Sequence, residues 1–169
     1  MKEELVEQLH RDHPDLCEKA SDGEFSVGDG WYNIIDVLCS QLSRTVNHYR
    51  LMIKYKIKKS EDVRELEDKL KKAIEELPII SQVKEKFGGL RFYIDGGTEE
   101  QLVMIDFAEA MSLKTCETCG DRGRSRGGGW IKVLCDKHAD EREAENPIAA
   151  ERNLRTRFAH RLHEESDEG

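Results

Sequence analysis

The sequence predicts an α+β fold, with helices packed on a small antiparallel β-hairpin sheet and a zinc-binding module at the C-terminal side. Three observations indicate this fold. Apolar residues recur every three or four positions over long stretches, which is typical of amphipathic helices. Between residues 90 and 95 they alternate with polar residues, as in a half-buried strand. Three cysteines and a histidine then stand close together after residue 115.

Composition limits the classes of protein that fit. The chain has 169 residues, of which 37% are charged and 37% hydrophobic, with a formal net charge of −8. This size suits one domain with at most a small appendage. A chain this acidic is not a general nucleic-acid coat, although a local basic patch stays open. No apolar run is long enough to span a membrane and the N-terminus lacks a secretory apolar core, so we expect a cytoplasmic protein without a membrane partner.

The N-terminal half is predicted to be mainly helical. Residues 1–20 form a short helix that Pro14 interrupts, and residues 21–31 form a loop rich in Gly and Asp. A long amphipathic helix is expected over 31–53. A basic connector, 54–59, follows it.

The next helix and the hairpin have local sequence signals. Ser60 is expected to cap a helix that Pro78 ends. In the strand that follows, Leu90, Phe92 and Ile94 point to one face, and Gly88-Gly89 is expected to form the hairpin turn before it. Thr98 and Gln101 form a capping box, which begins a helix that continues to about residue 113.

The C-terminal region is predicted to contain one more helix. Asn146-Pro147 suits a helix start, and Leu154, Phe158 and Leu162 form a thin apolar seam among charged residues. We expect this seam to dock on its own domain or on a second chain, with a homodimer favoured. The predicted boundaries are 1–113 for the helical and hairpin domain, 114–145 for the zinc module, and 146–169 for the charged helix and tail.

The metal ligands form two pairs. Cys116 and Cys119 are separated by two residues, 15 residues follow, and Cys135 and His138 are again separated by two. Three thiolates and one imidazole select zinc. A turn, a hairpin and a helix carrying the second pair resemble a treble-clef zinc finger. Because four protein ligands close a tetrahedral site, we expect the zinc to be structural; a catalytic zinc usually leaves one position open.

The loop between the two ligand pairs is rich in Gly and Arg. Arg122, Arg124 and Arg126 can pair with phosphate or carboxylate groups, and Trp130 can stack on a base or supply apolar contact area. A solvated turn of the zinc module is the alternative interpretation. On the first interpretation the loop binds a partner or ligand.

Two other stretches combine Gly, an aromatic residue and a charged residue. "GDGWY" places Asp29 and Trp31 at a helix start, and "KFGGLRFY" places Arg91 and Tyr93 on one strand face. If these stretches meet the zinc loop, they form further walls of a binding site. The alternatives are a core position for Trp31 and a surface ion pair for Arg91.

Four motifs resemble an uncharacterised family of small zinc-binding proteins encoded by phages and prophages. They are "GDGWYNIIDVLC", "VKEKFGGLRFYIDGG", "IDFAEAMSLKTCETCG" and "GGGWIKVLCDKHA", spread over residues 27–139. The resemblance implies zinc on the four ligands and a phage or prophage origin, hence the cytoplasm of a host bacterium. It implies no reaction. Residues 54–76 and those beyond 145 extend past the shared pattern.

Three functions follow as hypotheses. The first is a non-enzymatic accessory protein that binds a host protein. Such a protein acts either in defence against phages or in the evasion of that defence. The second is a nucleic-acid-binding zinc finger, and the third is a nucleotide-binding or nucleotide-processing protein. No nucleophile–base motif, P-loop or metalloprotease motif is present in the sequence, so no catalytic residue is predicted.

Overall fold

The computed structural model describes residues 1–17, 25–127 and 130–145. These residues form an α+β fold, as predicted. The helices are α1 (Glu3–Asp12), α2 (Pro14–Cys17), a 3₁₀ turn (Asp29–Trp31), α3 (Tyr32–Leu42), α4 (Arg44–Lys58), α5 (Arg64–Glu75), α6 (Glu99–Ser112) and α7 (Asp136–Glu145). The strands are β1 (Phe25–Ser26), β2 (Ile79–Lys86), β3 (Gly89–Asp95), β4 (Arg124–Arg126) and β5 (Lys132–Leu134).

The main sheet has three strands in the order β1-β2-β3. Strands β2 and β3 form the predicted antiparallel hairpin, but β1 adds a parallel edge within the stretch that we expected to be a loop. Two residues of β1 are too few for a period-two pattern, so the sequence carries no signal for this strand. A second, two-stranded sheet joins β4 and β5 between the metal ligands.

The prediction of one long helix over 31–53 is wrong in two respects: the helix is not continuous, and it does not end at residue 53. It divides at Ser43 into α3 and α4, and α4 continues to Lys58, through most of the expected connector. Ser43 still donates its N–H to Cys39 O and accepts from Asn47 N–H, so the hydrogen-bond ladder is not lost. The apolar periodicity therefore continues across the break, so the sequence does not indicate that the helix divides at Ser43.

Two local predictions are shifted along the chain. Helix α5 begins at Arg64, and the carboxylate of Asp62, not the hydroxyl of Ser60, accepts the N–H of Arg64. The hairpin turn consists of Phe87 and Gly88, one residue earlier than expected, because Lys86 pairs with Gly89. The capping box of Thr98 and Gln101 on α6 is confirmed.

The core lies between the main sheet, α3, α6 and the N-terminal helices. Its fully buried side chains include Leu9, Trp31, Ile35, Ile80, Val83 and Leu90. Full burial of one such apolar side chain contributes about 1.5–3 kcal/mol. Helices α4 and α5 pair mainly with each other, and α5 buries no side chain fully. Within the described part of the chain, no helix has the length and apolar character to cross a bilayer.

The predicted C-terminal helix and its seam, residues 146–169, lie outside the described residues. The boundary predicted near residue 113 separates two groups of buried residues. One is the main core, and the other is a small cluster of Cys116, Leu134 and Ala139 beside Cys135. Hydrogen bonds cross this boundary: Trp31 Nε1 donates to Thr115 O at 3.0 Å, and Gly30 N donates to Glu117 O at 2.9 Å.

Candidate metal centre and surrounding surfaces

The fold brings the four predicted metal ligands together. Cys116 and Cys119 lie in the turn that follows α6, Cys135 follows β5, and His138 lies in the first turn of α7. Their ligand atoms are all within 4.8 Å of one another. The cluster can therefore hold a metal ion.

The separations can be compared with those of a tetrahedral zinc site. Zn–S bonds of about 2.3 Å and Zn–N bonds of about 2.0 Å place two sulfurs about 3.8 Å apart, and sulfur and nitrogen about 3.6 Å apart. Cys119 Sγ and Cys135 Sγ are 3.9 Å apart, and Cys116 Sγ and His138 Nδ1 are 3.6 Å apart. Cys135 Sγ and His138 Nδ1 are closer, at 3.1 Å. The separations thus suit a tetrahedral metal site in which Nδ1 is the nitrogen of His138 that faces the sulfurs.

Groups around the ligands favour metal binding. Nε2 of His138 lies 3.7 Å from Glu141 Oε2, so a carboxylate faces the other ring nitrogen, as is usual beside a histidine ligand. Burial raises the pKa of the Cys116 thiol, but hydrogen bonds from the N–H groups of Cys135, Cys119 and Thr118 outweigh it and lower the pKa to about 7. These N–H groups stabilise a thiolate, which is the form that binds a metal.

The pKa of Cys119 is shifted in the opposite direction. Burial and the nearby Cys116, Asp121 and Cys135 raise its pKa to about 12. Hydrogen bonds with these three side chains favour the neutral thiol, which donates to Asp121 Oδ2 at 3.4 Å. A bound divalent cation would instead favour the thiolate form of every cysteine in the cluster.

The "GDGW" stretch supports the turn that carries the first ligand pair. A Cβ on Gly30 would lie 2.2 Å from Cys116 O and 2.6 Å from Cys119 N, and one on Gly28 would lie 2.2 Å from Glu117 O. Only glycine permits this close approach of two backbones. The two motifs are therefore parts of one unit.

Trp31 is a correction to the predicted site. Its side chain is fully buried and its indole donates to Thr115 O, so it packs between the main core and the metal turn and cannot contact a partner. Asp29 accepts from Lys2 N and pairs with Lys2 Nζ at 3.2 Å. Burial raises the pKa of Asp29, but the contacts with Lys2 outweigh burial and lower it.

Two of the predicted loop arginines are engaged within the module. Arg124 and Arg126 both pair with Asp136 Oδ1, at 2.8 and 2.5 Å, and Arg126 Nε also donates to Leu134 O. The Arg126 side chain is only 15% exposed, against 71% for Arg124. Arg126 therefore holds β5 and the start of α7 together beside Cys135, whereas Arg122 stays exposed.

Arg91 forms the ion pair that was the alternative interpretation of this residue. Its guanidinium lies 3.1 Å from Glu109 Oε2, and Glu109 Oε1 also accepts the N–H of Phe92. Tyr93 lies on the same strand face, is 40% exposed, and has Lys84 Nζ 5.2 Å from its ring centre.

Trp130 is exposed, and the structure places it against a residue that the sequence analysis missed. Its side chain is 67% exposed, its indole N–H donates to Glu85 Oε2 at 2.7 Å, and its carbonyl accepts from Arg142. Its neighbour Ile131 lies beside the hairpin turn, where a Cβ on Gly88 would be 2.9 Å from Ile131 Cγ2. The loop between the two ligand pairs and the tip of the main hairpin thus meet.

Phe87, at this tip, is not among the predicted site residues. Its ring is 72% exposed, and its φ of +55° lies in the left-handed region. With Gly88 at +78°, both turn residues have positive φ, as a type I′ turn requires. Asn, Asp or Gly normally occupies the first position. The sequence signal for this residue is the phenylalanine itself in "KFGG". Neither core packing nor backbone preference explains a phenylalanine at this turn position.

Comparison with protein-family models, with curated proteins and with solved structures finds no match for this chain. The site is therefore interpreted from its own geometry.

Proposed function

We propose that this chain is a non-enzymatic binding protein of phage type, stabilised by a structural zinc ion on Cys116, Cys119, Cys135 and His138. Its zinc module is of treble-clef type. It holds Trp130 and Ile131 against the hairpin tip, and these residues with Phe87 form a surface that binds a host protein and inhibits or sequesters it. The phage context rests on the four resembling motifs and on the size of the chain.

Phe87 is the observation that carries the binding role. A non-glycine residue with positive φ costs about 1 kcal/mol, and such strain is commonly found at functional sites. Here the strained residue exposes a large ring at the hairpin tip, where Ile131 approaches Gly88 and the exposed Trp130 donates to Glu85. Aromatic residues fixed in place before binding are frequent hot spots of protein interfaces.

A structural role for zinc is supported by the ligand count and by Glu117. Four protein ligands leave no open position on a tetrahedral ion. The carboxylate of Glu117, which is next to a ligand in sequence, is buried and pairs with Lys132 at 2.8 Å. It is therefore already engaged and is poorly placed to act on a metal-bound water.

The metal is tested by elemental analysis of purified protein. We expect about one zinc per chain, and loss of zinc with Cys119→Ala or Cys135→Ala. Structural zinc contributes on the order of 10 kcal/mol to folding of small modules, so chelation should lower the melting temperature strongly. A metal-free protein whose melting curve does not respond to chelator would exclude the zinc site.

The partner is tested by capture from a host lysate with matched variants. A specific partner should be retained by the wild type and lost with Phe87→Asn and with Trp130→Ala, each weakening binding by about 1–3 kcal/mol. Tyr55→Ala is the control, because Tyr55 is an exposed aromatic residue on α4. Equal capture by all variants would place the binding surface elsewhere.

Nucleotide binding is a second candidate, favoured by a cleft beside Trp130. This cleft has a volume of about 680 Å³, and its lining includes Lys84, Glu85, Glu117 and Lys132. Its two lysines and two glutamates balance in charge, which is unfavourable for phosphate. Titration with a nucleotide library tests it, and a steep loss of affinity with salt would instead favour nucleic acid.

A further inference from the structure

An apolar groove between α3 and α6 lies apart from the metal centre and from the surface formed by Phe87, Trp130 and Ile131. It has a volume of about 620 Å³ and is lined mainly by apolar side chains, among them Ile34, Val37, Val103, Phe107 and Met111. Val37, Val103 and Phe107 are 57%, 66% and 68% exposed. Contiguous exposed apolar surface of this kind usually marks a contact site.

The groove has an acidic border on α6. Glu99, Glu100 and Asp106 are exposed, and none of them forms an ion pair within residues 1–17, 25–127 and 130–145. On a helical projection, Glu100 lies on the groove face, and Glu99 and Asp106 lie along the solvent side of Val103. A suitable occupant is therefore apolar on one side and basic around it.

The chain itself contains such a segment. Leu154, Phe158 and Leu162 recur every four residues, and Arg152, Arg155, Arg157 and Arg161 are interspersed with them. The groove side of α6 has the same spacing, with Val103, Phe107 and Met111. As helices, both seams would extend over about 12 Å, because each residue adds about 1.5 Å.

We propose that residues 152–162, which contain the apolar seam and four arginines and no acidic residue, dock in the α3–α6 groove of their own chain. Leu154, Phe158 and Leu162 cover Val103, Phe107 and Met111, and the arginines face Glu99, Glu100 and Asp106. The eight residues between Glu145 and Leu154 can extend over up to about 28 Å. Attachment to the same chain raises the local concentration of the segment to the millimolar range for a short linker, which favours docking within one chain over exchange between copies.

The test is limited proteolysis of the full chain with trypsin, with cleavage after Arg155, Arg157 and Arg161 followed by mass spectrometry. Docking should protect these sites. Phe107→Ser should speed their cleavage by at least about tenfold, because cleavage follows the population of the open form. Leu51→Ser is the control, since Leu51 is a similarly exposed apolar residue on α4. It should leave the rate unchanged.

Two results would overturn the proposal. One is equal cleavage of the segment in the wild type and in Phe107→Ser. The other is a dimer mass by light scattering that becomes a monomer mass in Phe107→Ser, which would assign the groove to a second copy. Trp130→Ala should not alter protection, so this test and that of the partner surface can fail independently.

Discussion

Arg126 and Arg124 are two residues apart on one strand, yet their environments differ. Arg126 is largely buried and bonds to a backbone carbonyl and a carboxylate, whereas Arg124 is exposed and shares only the carboxylate. Both were predicted to contact a partner, because the sequence of a Gly/Arg loop does not indicate which guanidinium turns inward. For Arg126 the structure supports a role in holding the module together.

Arg126→Ala should therefore destabilise the protein, by about 1–3 kcal/mol, because Leu134 O loses a buried donor. Arg124→Ala is the control and should change the free energy of unfolding by less than about 0.5 kcal/mol, since an exposed pair contributes little. Urea unfolding of both variants measures this difference. Equal stability of the two would mean that the Arg126 contacts contribute nothing.

Phe87 gives the opposite expectation for stability. Phe87→Asn or Phe87→Gly should raise the free energy of unfolding by about 0.5–1 kcal/mol, because both residues tolerate positive φ better than phenylalanine. The same change should remove partner binding. Thermal unfolding measured beside the capture experiment checks both, and a loss of stability would show that the ring contributes to packing after all.

At the scale of elements, the metal turn and the "GDGW" turn act as one unit. Gly30 N donates to Glu117 O, and Gly120, with φ of +83°, lies against Gly30 O. Metal affinity should therefore depend on a glycine that is 86 residues before the first ligand in sequence. A spacing rule for metal ligands cannot reveal this dependence.

Gly30→Ala should lower both metal affinity and melting temperature, because its Cβ would meet backbone atoms of the metal turn at 2.2 to 2.6 Å. Backbone cannot move aside as a flexible side chain can. Gly127→Ala is the matched control, with no atom within 4 Å of its Cβ. Competition with a chromophoric chelator measures affinity, and an unchanged Gly30→Ala protein would disprove the coupling.

For the whole molecule, the contacts across residue 113 predict cooperative unfolding. Trp31 belongs to the main core but bonds to Thr115, and Trp130, between the two ligand pairs, bonds to Glu85 of the main sheet. Calorimetry should show one transition, and chelation should shift that transition as a whole. Two separate transitions, with only one responding to chelator, would show that the regions 1–113 and 114–145 fold independently.

The homodimer expected from the C-terminal seam stays a prediction that competes with docking inside one chain. The two differ in mass, because only exchange between copies joins two chains. Light scattering over a range of concentrations measures this mass. A monomer mass is expected if the C-terminal segment of the same chain occupies the α3–α6 groove.

The sequence by itself determined the features that depend on local spacing. The α+β class, the capping box of Thr98, the β2–β3 hairpin and the set of four metal ligands all follow from periods of two, three or four residues or from paired ligands. Each arises from backbone geometry within a few residues, so the chain records it directly.

Tertiary structure alone decided which side chains face inward. Trp31 and Arg126 are turned into the protein, whereas Phe87, Trp130 and Phe107 are exposed. For all of these residues except Trp31, side-chain polarity alone would suggest the opposite. The parallel pairing of β1 with β2 was also settled by contacts distant in sequence. The physical reason is that burial depends on what packs opposite a residue, and that neighbour is usually far away along the chain.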